Sequence, residues 1–361
     1  YQRRVRGMVF LAISLACSSI TGDCPITVKH LRMHTGSSHE FLCYISKRLF
    51  TNTLINQNID FSQCQSSSST QTTLFLEAGF IENFRIISTL TLTANQQFNG
   101  IFGIFASYLQ IQNCEISILM DGSAMATALV LATNKLVVFG ANISFTTQKT
   151  LQSFSGLTDY STFLDLRQLN LKVEVEVAFD AFGIARKAKT STNLMFCILE
   201  IIIKNKEYNQ AMAGTFGFLD DLVKLENLRI KVNVEGKNYT VGAVASYIGY
   251  SGINLQVYEV GVDLVILNGQ GATGGFGGVM IRPSYAGMTN QQIKLENVMV
   301  KGTITVQEVG YLSVSQLIGY WDLEYLANLA VVNVSTQLCG PTRLVNNQTR
   351  ISGSVVQNGC N

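Results

Sequence analysis

Apolar and polar residues alternate along two segments of the chain that resemble each other. They read LENLRIKVNVEG from Leu225 and LENVMVKGTITV from Leu295. In each segment an opening Leu is followed by two polar positions and then by regular alternation, the pattern of a β-strand with one buried face. Related openings recur at Ile81, Ile111, Leu166, Met195 and Leu326, and a weaker one at Lys135. The pattern predicts a repeat of short strands.

The spacing of these openings gives the length of the repeat. Their third residues are Asn83, Asn113, Gln168, Cys197, Asn227, Asn297 and Asn328. The single steps are 29, 30 or 31 residues, and the longer steps of 55 and 70 divide at Val138–Gly140 and Tyr258–Glu259. We place the extra residues of the longest step in the glycine-rich stretch Gly269–Gly278. The predicted period is therefore about 30 residues over eight or nine units.

A second short strand surrounds a glycine in each unit, as in FSGLTDY, FGIARKA and FGFLDDL. Glycine at this point permits a tight turn or a bulge. The segments are rich in Val, Ile, Thr and Phe, which favours strands over helices. We predict an all-β fold, a β-solenoid of the right-handed parallel β-helix type with coils of about 30 residues and an N-terminal extension. Its inward apolar side chains are buried when neighbouring coils stack.

The asparagines at the start of many units have two interpretations. Their amides could bond from coil to coil in a ladder, as stacked Asn side chains do in cross-β structures. Alternatively, Asn marks a turn, because its short polar side chain tolerates turn conformations. The sequence leaves both interpretations open.

The chain divides into four predicted segments: an N-terminal arm (1–40), an N-terminal disulfide-stapled cap (41–75), the β-helix repeats (76–338) and a C-terminal disulfide-stapled cap (339–361). The arm carries an apolar strip after Arg3, Arg4 and Arg6, a layout that also suits a secretory signal peptide. We favour an ordered arm that drives assembly through Met8, Val9, Phe10, Leu11, Ile13 and Leu15. Because no run of 18 apolar residues occurs, no transmembrane helix is predicted.

Cysteines and sequons favour an oxidising, secretory environment. The expected disulfides are Cys17–Cys24, Cys43–Cys64 and Cys339–Cys360. By contrast, Cys114 and Cys197 lie about three coils apart, or about 14 Å along the axis. That is too far for a bridge, so both are predicted to be free and buried. Four sequons predict surface N-linked glycans, at Asn142, Asn238, Asn333 and Asn347.

The charge of the chain argues against nucleic-acid binding. Charged residues make up 14% of the sequence and the net charge is +2, so no broad basic field exists to neutralise phosphates. The segment TVKHLRMHTG (27–36) imitates the second half of a C2H2 zinc finger, but Cys17 and Cys24 do not have the spacing of its first half. A looser cluster of His30, His34, His39 and Cys43 is interpreted as polar surface. We predict neither a metal site nor a cofactor.

Three further motifs have structural interpretations. Gly269–Gly274 satisfies G-x-G-x-x-G, but no helix is expected after it, so it is interpreted as an enlarged loop and not as a dinucleotide site. The acids Asp220-Asp221 and the pair Glu174 and Glu176 are expected in a solvated turn or strand. The basic run 186–189 is expected to mark a turn. Catalytic machinery is therefore not visible, and no enzyme is predicted.

From about Phe41 the chain resembles large secreted surface proteins of diplomonad-type flagellate protists. The resemblance rests on the start at Cys43-Tyr-Ile-Ser-Lys-Arg48, on Asn58-Ile-Asp-Phe-Ser-Gln-Cys64 and on the repeated L-x-N-L-x-V units. It covers about 320 residues, and residues 1–40 lie outside it. More loosely, the chain is similar to bacterial adhesin-like β-helix repeats. The resemblance implies a secreted or cell-surface protein without an assigned chemistry.

Together these observations favour an extracellular or cell-surface structural protein that is glycosylated and self-assembles into a filament or coat. A solenoid leaves unpaired strand edges at its ends, and contacts through them can propagate. A surface adhesin that binds glycan or protein along the rod is an alternative, with stacking tyrosines as candidates: Tyr247, Tyr250, Tyr311 and Tyr320. A carbohydrate-active β-helix enzyme is the third possibility.

Overall fold

The computed structural model is a stack of parallel β-coils. It describes residues 14–19, 22–27, 53–55, 58–60, 80–82, 85–92, 97–98, 100–102, 105–122, 125–206, 211–236, 238–269, 272–280, 292–306, 314–321, 328–340, 351–352 and 355–358. These residues form strands and turns and no helix. Accordingly, they contain no helix long and apolar enough to cross a membrane. The predicted all-β solenoid is confirmed.

Two sheets contain all the described strands. Near the N-terminus, β1 (Ser14–Ser19) and β2 (Gly22–Thr27) form an antiparallel pair. The parallel sheet contains β3 (Thr53–Ile55), β4 (Asn58–Asp60), β5 (Phe80–Glu82), β6 (Arg85–Leu92), β7 (Gln97–Phe98), β8 (Phe105–Gln112), β9 (Glu115–Gly122), β10 (Met125–Thr127), β11 (Val130–Phe139), β12 (Asn142–Thr147), β13 (Ser153–Ser155), β14 (Thr158–Arg167), β15 (Asn170–Val177) and β16 (Ala181–Met195). It continues with β17 (Ile198–Asn205), β18 (Ala211–Glu235), β19 (Asn238–Gly269), β20 (Ala272–Gly274), β21 (Gly277–Met280), β22 (Gln292–Val306), β23 (Val314–Ser315), β24 (Ile318–Trp321), β25 (Asn328–Val332), β26 (Val334–Cys339), β27 (Ile351–Ser352) and β28 (Val355–Gln357).

The register of the parallel sheet defines the coil. One ladder, which we call face A, joins Leu54, Ile81, Ile111, Val138, Leu166, Leu194, Leu225, Val257, Leu295 and Val331. A coil contains about 31 residues, which confirms the predicted period. A second ladder, face B, begins at Ile59 and passes through Ile143 and Ile230. The third, face C, runs from Phe98 through Phe154 to Val314.

At each of the eight described A–B corners, a left-handed residue turns the coil from face A to face B. Its φ lies between 51° and 63° in Asn113, Gly140, Gln168, Phe196, Asn227, Glu259, Asn297 and Asn333. Asn and Gly tolerate this conformation, which explains the recurring asparagines as turn residues. The amide of Asn333 also donates from Nδ2 to Oδ1 of Asn297 at 2.7 Å. Both interpretations of the asparagines are therefore correct in part.

This corner corrects two of the predicted repeat positions. In the coil of Cys197 the corner residue is Phe196, and in the last described corner it is Asn333, so Cys197 and Asn328 were out of phase. The placement of the extra residues at Gly269–Gly278 was also wrong. Strands β20 and β21 pair in regular register with β19, through Gly242–Gly274 and Ala245–Gly277.

Alternating side chains fill the interior. Strand β15 shows the pattern clearly, since Leu171, Val173, Val175 and Val177 are buried while the residues between them are wholly or partly exposed. Burying one such side chain contributes about 1.5–3 kcal/mol, and each coil covers the next. Cys114 and Cys197 belong to this core, and neither forms a disulfide, as predicted. Burial also raises the pKa of the Cys197 thiol, because the thiolate would lose its hydration.

Opposite charges alternate along one outward column of face B. Its members are Lys172, Glu200, Lys231, Asp263 and Lys301, which follow one another in register. The Lys231 ammonium donates to Glu200 at 2.8 Å, and this hydrogen bond lowers the pKa of Glu200. If one coil were skipped in the stack, like charges would become neighbours in this column. The alternation therefore favours the observed stacking order.

Candidate functional site

Glycine closes the bend that leads out of face C. A Cβ atom on Gly156 would lie 1.7 Å from the carbonyl oxygen of Gly183 in the next coil, so no side chain fits. Further along the rod Gly214, Gly242 and Gly274 stack in register, and a Cβ on Gly242 would lie 2.1 Å from the Ala245 carbonyl oxygen. The glycines recognised in the sequence therefore permit close approach of backbones.

Residues of four successive coils line an opening beside face C. A cleft of about 80 Å³ lies there. Its lining consists of Phe98, Met125, Ala126, Thr127, Leu131, Ser153, Phe154, Ser155, Asp159, Asp180, Phe182 and Arg186. The three phenylalanines are buried and form an apolar floor, whereas Met125 is exposed at the rim. The volume is several times the volume of about 10–15 Å³ that a single water needs, so the cleft admits small polar groups.

Asp159 is held firmly within the cleft. Arg186, one coil away, approaches its Oδ2 with a guanidinium nitrogen at 2.8 Å. The Ser155 hydroxyl donates to its Oδ1 at 2.9 Å. With both oxygens engaged, this carboxylate is oriented and charge-balanced.

Asp180 has a different environment in the same cleft. The backbone N–H of Met212 donates to its Oδ1 at 2.8 Å. Burial raises the pKa of the Asp180 carboxyl, and the Met212 hydrogen bond and the charge of Arg186 offset this in part. The cleft thus combines a fixed ion pair with a carboxyl group that is costly to ionise. Such a group binds well to a ligand that donates a hydrogen bond or carries positive charge.

Two amide substitutions should change the stability in opposite directions. At pH 7 we expect Asp180→Asn to raise the free energy of unfolding by up to about 1 kcal/mol, because it removes a desolvated charge and keeps the Oδ1 acceptor. Asp159→Asn should lower it by about 0.5–1 kcal/mol, since Arg186 is half-exposed and the lost pair is screened by solvent.

The pH dependence gives the sign of the Asp180 effect. The folded pKa lies above the unfolded value, so this group contributes stability below the unfolded pKa and loses it as pH rises through the folded pKa. In urea unfolding between pH 4 and 7, the native protein should therefore lose stability relative to Asp180→Asn as the pH rises. If Asp180→Asn is the more damaging of the two variants at pH 7, the assignment is wrong.

Two of the four predicted glycosylation sites are exposed, as expected. Asn142 lies in β12, where its Oδ1 accepts a 2.7 Å hydrogen bond from Nδ2 of Asn170. Asn333 lies at the A–B corner. Asn238 begins β19, and Asn347 lies outside the described residues. The structure therefore offers accessible amides at Asn142 and Asn333, and glycosylation itself stays a prediction.

The predicted disulfides fall mostly outside the described residues. Cys17 and Cys24 are direct cross-strand partners in the β1–β2 pair, a register that brings Cα atoms to about 4.5–5.5 Å and suits a disulfide. Cys339 ends β26. Cys43, Cys64 and Cys360 lie outside the described residues. Of the arm residues, Leu15 lies in β1 opposite Ile26, and the others, Met8 to Ile13, are not described.

Other sequence motifs take structural positions. The G-x-G-x-x-G segment ends in strand β20 and leads to no helix, and the basic run 186–189 lies inside β16, so its assignment to a turn was wrong. Asp220 is buried in β18, so its expected solvated position was wrong, whereas Glu174 and Glu176 share the outer face of β15 as expected. Tyr247 stacks on Phe218 with ring centroids 4.9 Å apart. Strands β19 and β24 contain Tyr250 and Tyr320; Tyr311 and the cluster of His30, His34, His39 and Cys43 are not described.

Comparison with known proteins gives no match: no protein-family model, no curated protein and no solved structure is similar to this chain. The resemblance to protist surface proteins therefore stays a prediction.

Proposed function

We propose that this chain is an extracellular or cell-surface structural protein, glycosylated and self-assembling into a filament or coat. The observation that carries the proposal is the stack of parallel coils, in which each described coil pairs with its neighbours in one ladder after another. A stack of this kind is a rod whose sides are stabilised by cross-coil ion pairs. It is suited to mechanical or covering roles along its whole length.

The ends of the described stack supply a route to assembly. Among the described strands, β3 and β4 pair with the following coil and with no earlier one. Likewise β27 and β28 pair with the preceding coil and with no later one. Strand edges of this kind accept another strand through backbone hydrogen bonds. The apolar arm is the segment that we propose adds to such an edge in a neighbouring molecule.

The extracellular setting predicts covalent chemistry that can be measured directly. We propose N-linked glycans at the four sequons, and disulfides Cys17–Cys24, Cys43–Cys64 and Cys339–Cys360. Peptide mass spectrometry of the secreted, non-reduced protein tests both sets in one digest. Unmodified asparagines together with fully reduced cysteines would exclude the secretory setting.

Removal of residues 1–40 should abolish filament formation while the solenoid still folds. The physical reason is that the arm supplies apolar side chains and backbone donors to a neighbour, whereas the coils bury their core among themselves. Negative-stain microscopy measures the filaments, and far-UV circular dichroism verifies the β-fold.

A matched control uses the full-length chain with Phe10→Asp and Leu11→Asp, which keeps the backbone and disrupts the apolar strip. It should lose filaments as the deletion does. Unchanged filaments in both variants would reject the arm as the assembly element.

A second candidate function is a surface adhesin, and the cleft of Asp159, Asp180 and Arg186 favours it. Carboxylate and guanidinium groups above an apolar floor can bind hydroxyl groups and apolar faces of a saccharide. Glycan-array binding by the native protein, lost in Asp180→Ala, would support this function over a purely structural one.

A further inference from the structure

The outward side of face A has an unusual composition around one coil. In strands β14, β16 and β18 it exposes Phe163 and Leu222, and at the adjoining corner Phe196 and Ile198, each with 44–57% of its surface accessible. The positions in register with Ile198 are Asn170 in the preceding coil and Arg229 in the following one. Exposed apolar side chains are thus concentrated in three successive coils, and Ile198 in the middle coil has polar residues on both sides.

Phe196 is the clearest exception among the corner residues. The other described corners use Asn, Gln, Glu or Gly, which either tolerate positive φ or expose a polar side chain to water. A bulky aromatic residue with positive φ is a genuine outlier, and this one is also 55% exposed. Because neither the turn nor the core requires Phe here, its presence indicates a role at the surface.

The register around Phe196 is self-complementary. Across the central coil, Phe163 and Leu222 occupy the same column on opposite sides of Ser191. In the next column Asp165 and Lys224 flank Asn193, and in the third column Arg167 and Glu226 flank Met195. Across these three columns the preceding coil therefore carries an apolar, a negative and a positive side chain. The following coil carries an apolar, a positive and a negative side chain.

We propose that this outward side of face A, the lateral face, binds a second copy of the chain with the two rods antiparallel. A two-fold axis parallel to the strands of the central coil exchanges the coil before it with the coil after it. Phe163 then meets Leu222 of the second copy, Asp165 meets its Lys224, and Arg167 meets its Glu226. Phe196 lies on the axis at the corner edge of the contact, where it meets Phe196 of the second copy.

The existing ion pairs favour this arrangement. Arg167 Nε donates to Asp165 at 2.8 Å, and Lys224 Nζ lies 2.6 Å from Glu226. On pairing, each becomes half of a four-charge group in which every carboxylate has two cationic neighbours. The charges are thus not left unpaired when water is removed. A parallel two-fold arrangement would instead exchange the outer columns of each coil and place Leu222 against Glu226, so it is not favoured.

The complementarity extends one coil further on each side. Phe139 lies in the coil before Arg167, and Tyr258 lies in the coil after Glu226, in the same column. The same axis therefore brings these two exposed aromatic residues together.

The contact area follows from the dimensions of the lateral face. Five coils at about 4.8 Å and eight residues at about 3.3 Å give a contact area of roughly 600 Å² per copy, or about 1,200 Å² in total. That area is at the lower end for specific complexes and indicates a reversible dimer.

Charge reversal tests the arrangement in the full-length chain. Alone, Arg167→Glu places two pairs of carboxylates in contact, and Glu226→Arg places two pairs of guanidinium groups in contact. Each variant should dimerise at least about tenfold more weakly than the native chain in sedimentation velocity. An equimolar mixture should restore dimers, because the carboxylate introduced at position 167 of one chain then faces the guanidinium introduced at position 226 of the other. Circular dichroism and melting curves verify that both variants fold.

Phe196→Asn separates the interface from the fold. Asn tolerates the left-handed conformation of this corner, so the melting temperature should stay the same or rise. The dimer should nevertheless weaken at least about tenfold, since the aromatic contact on the two-fold axis is lost. Asn227→Ala, at the next corner, is the matched control and should leave dimerisation within about threefold.

Three outcomes would overturn the proposal: a native chain that stays monomeric at its highest soluble concentration, charge-reversed chains that do not associate on mixing, or native dimerisation by Arg167→Glu. The proposal deepens the proposed self-association and rests on it for its biological setting. Failure of the lateral-face proposal can nevertheless be distinguished from failure of assembly through the arm. Filaments without lateral dimers would contradict only the lateral face, and dimers without filaments would contradict only assembly through the arm.

Discussion

Replacing Gly156 by alanine is expected to cost at least about 4 kcal/mol of unfolding free energy. The new Cβ would lie 1.7 Å from the Gly183 carbonyl oxygen of the next coil. Neither backbone can move away, because Gly156 N–H donates to Phe182 at 2.9 Å and Leu157 N–H donates to Ile184 at 2.8 Å. The substitution therefore breaks coil-to-coil pairing at this point. Thermal or urea unfolding, followed by circular dichroism, measures the effect.

Two other glycines make a graded series with Gly156. A Cβ on Gly183 would lie 2.3 Å from Cδ1 of Ile201, the end of a flexible side chain, so Gly183→Ala should cost about 1–3 kcal/mol. A Cβ on Gly261 would have its nearest neighbour, the Leu228 carbonyl oxygen, 4.0 Å away, and Gly261→Ala should be neutral or stabilise by about 0.5 kcal/mol. Equal losses at all three positions would show that the space around the added Cβ does not explain these glycines, because chain entropy alone predicts a gain on Gly→Ala.

The architecture could be predicted from the sequence because the alternation of apolar and polar residues within a single strand shows which side chains face inward. Alternation in segments such as LENLRIKVNVEG identifies the strands, and the distance between them identifies the coil. The phase was harder to predict, because coils differ in length, from Leu54–Ile81 to Val257–Leu295. Because Phe196 occupies the corner of its coil, that coil has no asparagine there, and the neighbouring Cys197 was taken as the repeat position.

The cleft was not recognised because its residues come from four coils. Asp159 and Arg186 are 27 residues apart, and each is ordinary within its own segment. A usable signal was nevertheless present. Opposite charges separated by one coil recur in ion pairs, as in Asp121 with Lys149 and Glu176 with Lys206. A search for such spacing would have found Asp159 with Arg186, whereas the burial that raises the pKa of Asp180 depends on the packed structure.

Two deletions within the stack are expected to differ most in their effect on stability. Deletion of residues 140–167 joins Phe139 to Gln168 and removes one coil of 28 residues, because Phe139 and Arg167 are register partners. The coil of Leu194 then stacks on the coil of Val138, and Leu171 replaces Ile143 on face B. On faces A and B each contact exchanges one aliphatic residue for another, and on face C Ala181 then stacks on Ala126 in place of Phe154. We expect a folded chain with a cooperative urea transition, a lower midpoint and an m-value reduced by about 8%.

Deletion of residues 154–167 removes half as much sequence and is expected to be far more damaging. It joins Ser153 of face C to Gln168 of the corner, so the coil at the junction loses its face A strand, and the face A strands of β11 and β16 lose the partner between them. Inward side chains beside the junction would then be exposed, and the midpoint of unfolding should fall far below that of the 140–167 deletion. If the two deletions are equally tolerated, the coil is not the unit of stability. If both unfold the chain, contacts beyond neighbouring coils hold the rod together, and the additive stacking derived from the register is wrong.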